Sequence, residues 1–389
     1  MEHAAERADT ELAYTHERID DAPPCSKLNS LQTTDLTGNG HPDVIVVGMG
    51  GNPTVSVGGQ AVQLPMTGPL SRLSLRFETN VFWYENPGWE RHTLASEFNL
   101  HPGVGSDLAD ISGNGRLDFV VGQGFGKPDL YWYEQPEDPR DPWRQHHITD
   151  AFEKYHDLLV ADVDDDGEPE LVGLSQDAES VFYYDIPADP FQEPWPAANC
   201  HVLDDDRRCE GLAVADVDGD GRTEIVAGTN VYHQRGDEWV HDDICIGWDD
   251  TRVAVADLDG DGELEIVLSE GDSPTFGTHP GRLAWVDYPG GTPEILRDDL
   301  FNPHSLQTAD VTGNGYPDIY VGEMALGETE TPEQFVFKNH GDGRFTEHPV
   351  ERGVPTHEAK LADMTGNGSL DTVGKSYGPD HHVDIWYRD

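Results

Sequence analysis

Residues Ala215–Gly228 read "ADVDGDGRTEIVAG". An acidic, glycine-punctuated loop runs straight into an apolar stretch of strand length, and relatives of it recur along the chain. Aligned on the first loop acid they are "TDLTGNGHPDVIVV" (Asp35), "ADISGNGRLDFVVG" (Asp110) and "ADVDDDGEPELVGL" (Asp162). After the quoted copy (Asp216) come "ADLDGDGELEIVLS" (Asp257), "ADVTGNGYPDIYVG" (Asp310) and "ADMTGNGSLDTVGK" (Asp363). Successive first acids lie 75, 52, 54, 41, 53 and 53 residues apart. A repeat of about fifty residues marks a supersecondary unit that cannot bury its faces alone and must stack on copies of itself.

Each unit repeats one order: an apolar stretch, the loop, a β-rich run, an aromatic run such as "VFWYENP" or "LYWYEQP", and a short run containing histidine. Each run is of strand length and bounded by turn residues. Four strands per unit and seven units predict an all-β chain, a seven-bladed β-propeller occupying residues 1–389 as one domain. The long first spacing predicts an insertion at about 50–75, between the second and third strands of blade one. The seventh unit ends after its third strand, "HHVDIWYRD", while the first residues supply "AYTHERID", which matches the fourth-strand pattern. A strand at about 13–20 is therefore expected to complete the last blade and close the ring.

The chain carries 75 acidic residues against 24 basic ones, a net charge of −51. Self-repulsion of that size is relieved by screening in concentrated salt, so a high-salt environment is expected. A nucleic-acid partner is disfavoured, because phosphate binding needs a basic face. No apolar run approaches membrane-spanning length, and the N-terminal residues show no export signal, which leaves a cytoplasmic address and no membrane partner as expectations. Cys25, Cys200, Cys209 and Cys245 form no CxxC pair and read as reduced thiols.

Counted from its first acid, the loop reads D-x-[DTS]-x-[DN]-G-x-x-[DE]. Oxygen side chains at positions 1, 3, 5 and 9, with glycine at 6 for the sharp turn, are what a hard cation requires. Blades three to five offer four carboxylates each: Asp162, Asp164, Asp166 and Glu170; Asp216, Asp218, Asp220 and Glu224; Asp257, Asp259, Asp261 and Glu265. Calcium is expected there. The other four loops carry Thr or Ser at position 3 and Asn at position 5, and read as turns held by their own side-chain hydrogen bonds.

These loops resemble the FG-GAP or VCBS repeats of integrin-α-type propellers and their bacterial relatives, here of haloarchaeal type. The resemblance implies the propeller fold; it spans adhesins, scaffolds and enzymes alike.

Function is sought where the sevenfold pattern breaks. His16, His92, His147, His201, His241 and His348 recur in fourth strands and read as structural. The sixth residue before each loop acid instead varies: Asn29, Val104, His156, Glu210, Thr251, His304 and His357. In a propeller these positions encircle the axis at the mouth opposite the loops. Three imidazoles and a carboxylate suit one divalent transition metal such as zinc or manganese, with His156, Glu210, His304 and His357 as ligands. Asp157, Arg252 and Glu358 adjoin them, and His101 is placed within reach. The turns after the second strands, with Gln123, Gln176, Asn230, Glu270, Glu323, Lys375 and Tyr377, are expected to open on the same mouth.

Such a mouth suits a hydroxyl-rich ligand, and a metal beside candidate bases suits elimination from a sugar. The "WYENP…W…H" units, with histidines ahead of "TGNG" loops, also resemble the propeller of aldos-2-ulose (anhydrofructose) dehydratases. That resemblance implies a metal-assisted lyase and carries His156, His304 and His357 over as ligands or acid–base groups. Propeller-type polysaccharide lyases are a neighbouring alternative, with Arg252 on a uronate carboxylate and Tyr377 or a histidine as base; Lys375 is also a candidate catalytic group. The expected partner is thus a small sugar or a polysaccharide. A non-catalytic, calcium-stabilised propeller binding a protein or glycan, and a metal-dependent sugar hydrolase or isomerase, stay open beside the lyase.

Overall fold

A computed structural model of the protein describes residues 6–7, 12–25, 27–49, 54–57, 60–63, 80–95, 100–124, 126–236, 238–324, 326, 331–377 and 381–388. The described strands form seven four-stranded antiparallel blades, one of them extended by a short fifth strand. The innermost strands are Lys27–Thr34, Pro102–Ala109, Tyr155–Ala161, Leu212–Ala215, Thr251–Ala256, Ser305–Ala309 and Glu358–Ala362. Each lies against the next, and the seventh returns to the first, so the blades form a closed ring.

The second strands are near-continuous apolar runs because both of their faces are covered. In blade one Ile45 and Val47 pack toward blade two, whereas Val44 and Val46 pack toward blade seven. The twofold alternation of side chains along a strand thus serves two interfaces at once. Among the described residues seven apolar clusters result, each between neighbouring blades.

Ring closure follows the expected route. Tyr14–Asp20 pairs antiparallel with Val383–Arg388 and becomes the outer strand of blade seven. His16 Nε2 and Arg18 Nε hold buried Asp384 Oδ1 at 2.8 and 3.2 Å. Asp20 Oδ2 accepts hydrogen bonds from Tyr84 (2.7 Å) and Arg91 (2.6 Å) of blade one. Glu6–Arg7 adds, in parallel, a further edge strand to blade six. The blade-one insertion contributes a hairpin, Thr54–Val57 with Gln60–Gln63; the rest of the expected 50–75 segment lies outside the described residues.

Five of the six recurrent outer histidines sit directly across from third-strand aromatics, whereas His348 faces Val336. His92 faces Trp83, His147 faces Tyr131, His201 faces Tyr183, His241 faces Tyr232 and His16 faces Trp386. Ring centroids are 4.5 Å apart for His92 and for His201. The aromatic run and the histidine run therefore form one cross-strand pair in five of the seven blades. None of the four cysteines forms a disulfide.

Candidate metal centre at the axial mouth

Every inner strand has its loop at one end and its variable residue at the other, so the variable residues gather at the axial opening away from the loops. Asn29, Val104, His156, Glu210, His304 and His357 line one cavity of about 560 Å³. Thr251 is buried beside it, and its predecessor Asp250 takes its place in the wall.

One ligating atom from each of His156, Glu210 and His304 lies within 4.8 Å of the others. His156 Nε2 is 3.3 Å from Glu210 Oε1, and His304 Nε2 is 3.9 Å from Glu210 Oε2. His304 Nδ1 donates to the carbonyl of His357 at 2.8 Å. A carbonyl can only accept, so the proton is on Nδ1 and the Nε2 lone pair faces Glu210. This is how ligating histidines are oriented. Burial, followed by the charge of Arg252, keeps His304 well below its usual pKa and hence neutral. Glu210 is 1% exposed. Its Oε1 accepts from Gln176 Nε2 at 2.5 Å, while no N–H donates to Oε2. Burial, then the charges of Asp272 and Asp250, raise its pKa well above the carboxylate range. A buried carboxylate with an unpartnered oxygen next to an imidazole lone pair fits a divalent cation.

Asp157, the residue that follows His156, pairs with Arg252 Nη1 at 2.8 Å. Burial alone would raise Asp157, but the guanidinium holds its carboxyl well below the usual range. The same Arg252 nitrogen lies 3.3 Å from His156 Nδ1. An arginine only donates, so in this state His156 carries its proton on Nε2 and gives it toward Glu210; ligation through Nε2 requires the other tautomer, with the proton moved to Nδ1, 3.9 Å from Asp157 Oδ2.

His357 stands outside the ligand set, contrary to expectation. Its ring stacks on His304 with centroids 4.2 Å apart and planes 16° from parallel. Parallel stacked rings direct their lone pairs along separate planes and cannot converge on one ion. His357 Nδ1 contacts Lys375 Nζ, and Tyr377 stacks with the same ring at 4.8 Å. Lys375 is fully buried and does not line the cavity. It donates to Leu28 O (3.0 Å) and Asn29 O (2.7 Å), binding blade seven to blade one. Burial pushes its pKa down to about 7. Its place makes it a positioning residue for His357.

Arg252 likewise forms the floor. It lines a smaller polar space of about 140 Å³ along the axis with Asp107, Asp157, Glu358 and Lys360. Its pairing with Asp157 occupies it, which removes it as a free partner for a substrate carboxylate. Of the second-strand turns, Gln176 and Tyr377 reach the cavity. The others are used structurally: Gln123 accepts from His101 N, Asn230 donates to Asp243, Glu270 holds Arg282 and Glu323 accepts from Phe301 N and Glu333 N. His101 is tied through its backbone and is not among the lining residues. The residues that sequence reasoning passed over are Asp250, Asp272, Lys27, Lys154, Arg208 and Phe276, all in the cavity wall.

At the opposite end the loops divide into two wirings. In the Thr/Ser–Asn type, the first acid is saturated by the loop's own backbone. Asp35 Oδ1 accepts from Asn39 N at 3.0 Å and Oδ2 from Gly40 N at 2.8 Å. Asp110, Asp310 and Asp363 repeat this arrangement. The aspartate at position 9 reaches across the blade, as Asp43 Oδ1 does to Asn86 N (2.8 Å). In the all-acid type the position-5 N–H turns to the position-3 aspartate: Asp166 N to Asp164 at 3.3 Å, Asp220 N to Asp218 at 3.0 Å, Asp261 N to Asp259 at 3.1 Å. Asp162 Oδ1 and Asp216 Oδ1 are left buried without a partner. The first, third and ninth acids of each such loop have ligand oxygens within 4.8 Å of one another. Three of the four predicted carboxylates thus converge; Asp166, Asp220 and Asp261 instead accept the backbone N–H two residues on. Gly221, at position 6, has a φ of +87°, which a residue with a Cβ adopts only under strain.

Residues 110–173, 162–227 and 216–268 match the FG-GAP-like repeat, so the chain carries FG-GAP-like repeats over blades two to five. No curated protein matches the sequence. Among solved structures, the crystal structure of BBS1N in complex with ARL6DN has a TM-score of 0.53 and 11% identity, covering 98% of each chain; the likeness concerns the fold alone. The Photorhabdus luminescens Tc holotoxin pore matches with a TM-score of 0.41 and 17% identity, over 99% of this chain and 15% of that one.

Proposed function

We propose that the protein is a metal-dependent carbohydrate lyase of the dehydratase kind, acting at the axial mouth. The convergence of His156, Glu210 and His304, with Glu210 Oε2 unpartnered, carries this reading. Charge placement supports an acidic sugar. Of six lysines in a chain of net charge −51, Lys27 and Lys154 line the cavity, Lys360 lines the axial space beneath it and Lys375 backs its wall. A divalent cation held by His156, Glu210 and His304 would polarise a substrate carbonyl or carboxylate.

The protein's own groups divide the proton work. Elimination removes a carbon-bound proton next to that carbonyl and breaks the C–O bond one carbon further on. A C=C bond forms, and the departing oxygen takes up a proton. His357 is assigned the first proton. When Lys375 is neutral, its lone pair accepts from His357 Nδ1–H while its two N–H bonds serve Leu28 O and Asn29 O; Nε2 is then a base. When Lys375 is charged it donates to Nδ1, the His357 proton sits on Nε2, and the base is lost. Activity therefore rises as pH passes upward through about 7. Tyr377, whose oxygen lies 3.5 Å from Lys27 Nζ, is assigned the departing oxygen.

We infer also that the loops of blades three to five hold calcium, on the strength of the converging first, third and ninth acids in all three and of the unpartnered Asp162 and Asp216 oxygens in blades three and four. Those loops alone would suit a non-catalytic, calcium-stiffened propeller that binds a protein or glycan. One experiment separates the readings: metal content and ultraviolet absorbance of a conjugated product, screened over keto-sugars and uronate polymers in high salt. The lyase reading expects a stoichiometric transition metal and turnover, both lost in His304→Ala and both kept in Asp216→Asn. Calcium alone, with no turnover and no ligand sensitive to His304→Ala, would leave the scaffold.

A further inference from the structure

The mouth contains a second group of carboxylates that the elimination leaves unused. Ligand oxygens of Glu210, Asp250 and Asp272 lie within 4.8 Å of one another, and all three residues line the cavity. Glu210 precedes the inner strand of blade four, Asp250 directly precedes that of blade five, and Asp272 lies in the turn after the second strand of blade five. The turn is latched in place, since Gly271 N donates to Asp250 O at 3.1 Å. Three acids from neighbouring blades therefore meet at fixed positions. Arg208, paired with Asp250, supplies the cation beside them.

Glu210 belongs to both this group and the histidine group. Its two oxygens face different ways: Oε1 toward His156 at 3.3 Å, Oε2 toward His304 at 3.9 Å. Oε2 accepts no hydrogen bond from any N–H although the residue is 1% exposed, and Asp272 is the neighbouring carboxyl with which Glu210 shares a side-chain hydrogen bond, a proton that a second cation would displace. A carboxylate offers about four lone-pair directions, so the Gln176 bond to Oε1 leaves capacity for more than one ion.

We propose that the axial centre is binuclear, with Glu210 bridging one cation held by His156 and His304 and a second held by Asp250 and Asp272. The proposal rests on the axial metal reading above and extends it. The two positions differ in chemistry. Two imidazoles and a carboxylate suit a transition ion, whereas three carboxylates suit a hard ion such as magnesium or manganese. Carboxylate-bridged pairs stand about 3.5–4 Å apart, close enough to hold both the substrate oxygen being polarised and the one departing.

Manganese(II) fits both donor sets and reports its own surroundings. The full chain, titrated with manganese(II) and followed by equilibrium dialysis and electron paramagnetic resonance, is expected to show a magnetically coupled pair. Asp272→Asn is expected to lose one ion and the coupling while keeping an isolated ion; His304→Ala loses the other. Asp250→Asn serves as an independent second variant if Asp272→Asn fails to fold. Ions in the blade loops lie at the far end of the strands and contribute uncoupled signal only. If Asp272→Asn and Asp250→Asn bind as many ions as the parent and no coupling appears, the second position does not exist, while the His304→Ala loss still upholds the first. If His304→Ala and Glu210→Gln change nothing either, both readings fall together.

Discussion

At one end of blade one's inner strand, both oxygens of Asp35 are filled by backbone N–H groups of its own loop. At the other end of blade four's inner strand, Glu210 is nearly inaccessible yet keeps an oxygen with no donor. The first arrangement is found in four blades and the second in one. Where a Thr/Ser–Asn loop repeats around the ring, its hydrogen-bonding capacity is consumed locally, because each blade must hold its own turn together. Where residues differ, capacity is left over and points at the axis. Between these two strand ends, the difference lies in whether a carboxylate's oxygens are both filled by N–H groups.

The sharpest way to break that comparison is through Arg252, which lies on the axis yet is spent as the scaffold residues are. Its bond to Asp157 is largely shielded, the side chains being 14% and 19% exposed. Arg252→Leu leaves Asp157 charged and unpaired, and should cost about 3–5 kcal/mol of stability in denaturant titration. Adding Asp157→Asn should recover much of that loss. A variant that kept its stability and lost only substrate affinity would make Arg252 part of the mouth after all.

A smaller effect tests the division between loops. Asp218→Thr, Asp220→Asn and Glu224→Asp together rewrite the blade-four loop in the pattern of blade one. The position-5 N–H should return to Asp216 Oδ1, the unpartnered oxygen should disappear, and one calcium ion should be lost. At a hundredfold excess over Kd, a site contributes about 2.7 kcal/mol. The rewritten protein should therefore melt lower than the parent in calcium and no lower in a chelator. Equal calcium responses would show that the two wirings do not differ in function.

The ring was legible in the sequence because its signal is redundant: seven loops, paired aromatic and histidine runs, and an N-terminal strand matching the missing one. The mouth was legible only in part. Position within a repeat locates His156, Glu210 and His304, since strand register carries each to the same height. It does not locate Asp250, one residue before its blade's variable position, nor Asp272, in a turn of different length from its counterparts. Nor does it show that a polar side chain is already engaged. Gln123 Oε1 and both oxygens of Glu323 are spent on backbone N–H groups, and Lys375 on carbonyls of blade one. Those ties depend on how neighbouring chain segments approach, which residue type and spacing leave undetermined.

The finest test concerns protons at the all-acid loops. Burial, with the neighbouring carboxylates adding to it, raises Glu170, Glu224 and Glu265 from 4.5 to about 7. Without a cation, each then binds more protons folded than unfolded between pH 4.5 and 7. Their contribution is present below 4.5 and lost as pH rises through 7, so stability in a chelator should decline across that window. Calcium takes the place of the proton, and its stabilising effect should grow over the same range. The rise in melting temperature on adding calcium should be small near pH 5 and reach its plateau above pH 7. In the rewritten blade-four loop, which should bind no calcium, that part of the calcium response should vanish, while its new aspartate should still be raised by burial as Asp43 is. A calcium response that is flat from pH 5 to 8 in the parent would mean that the ninth-position glutamates do not take part in holding the ion.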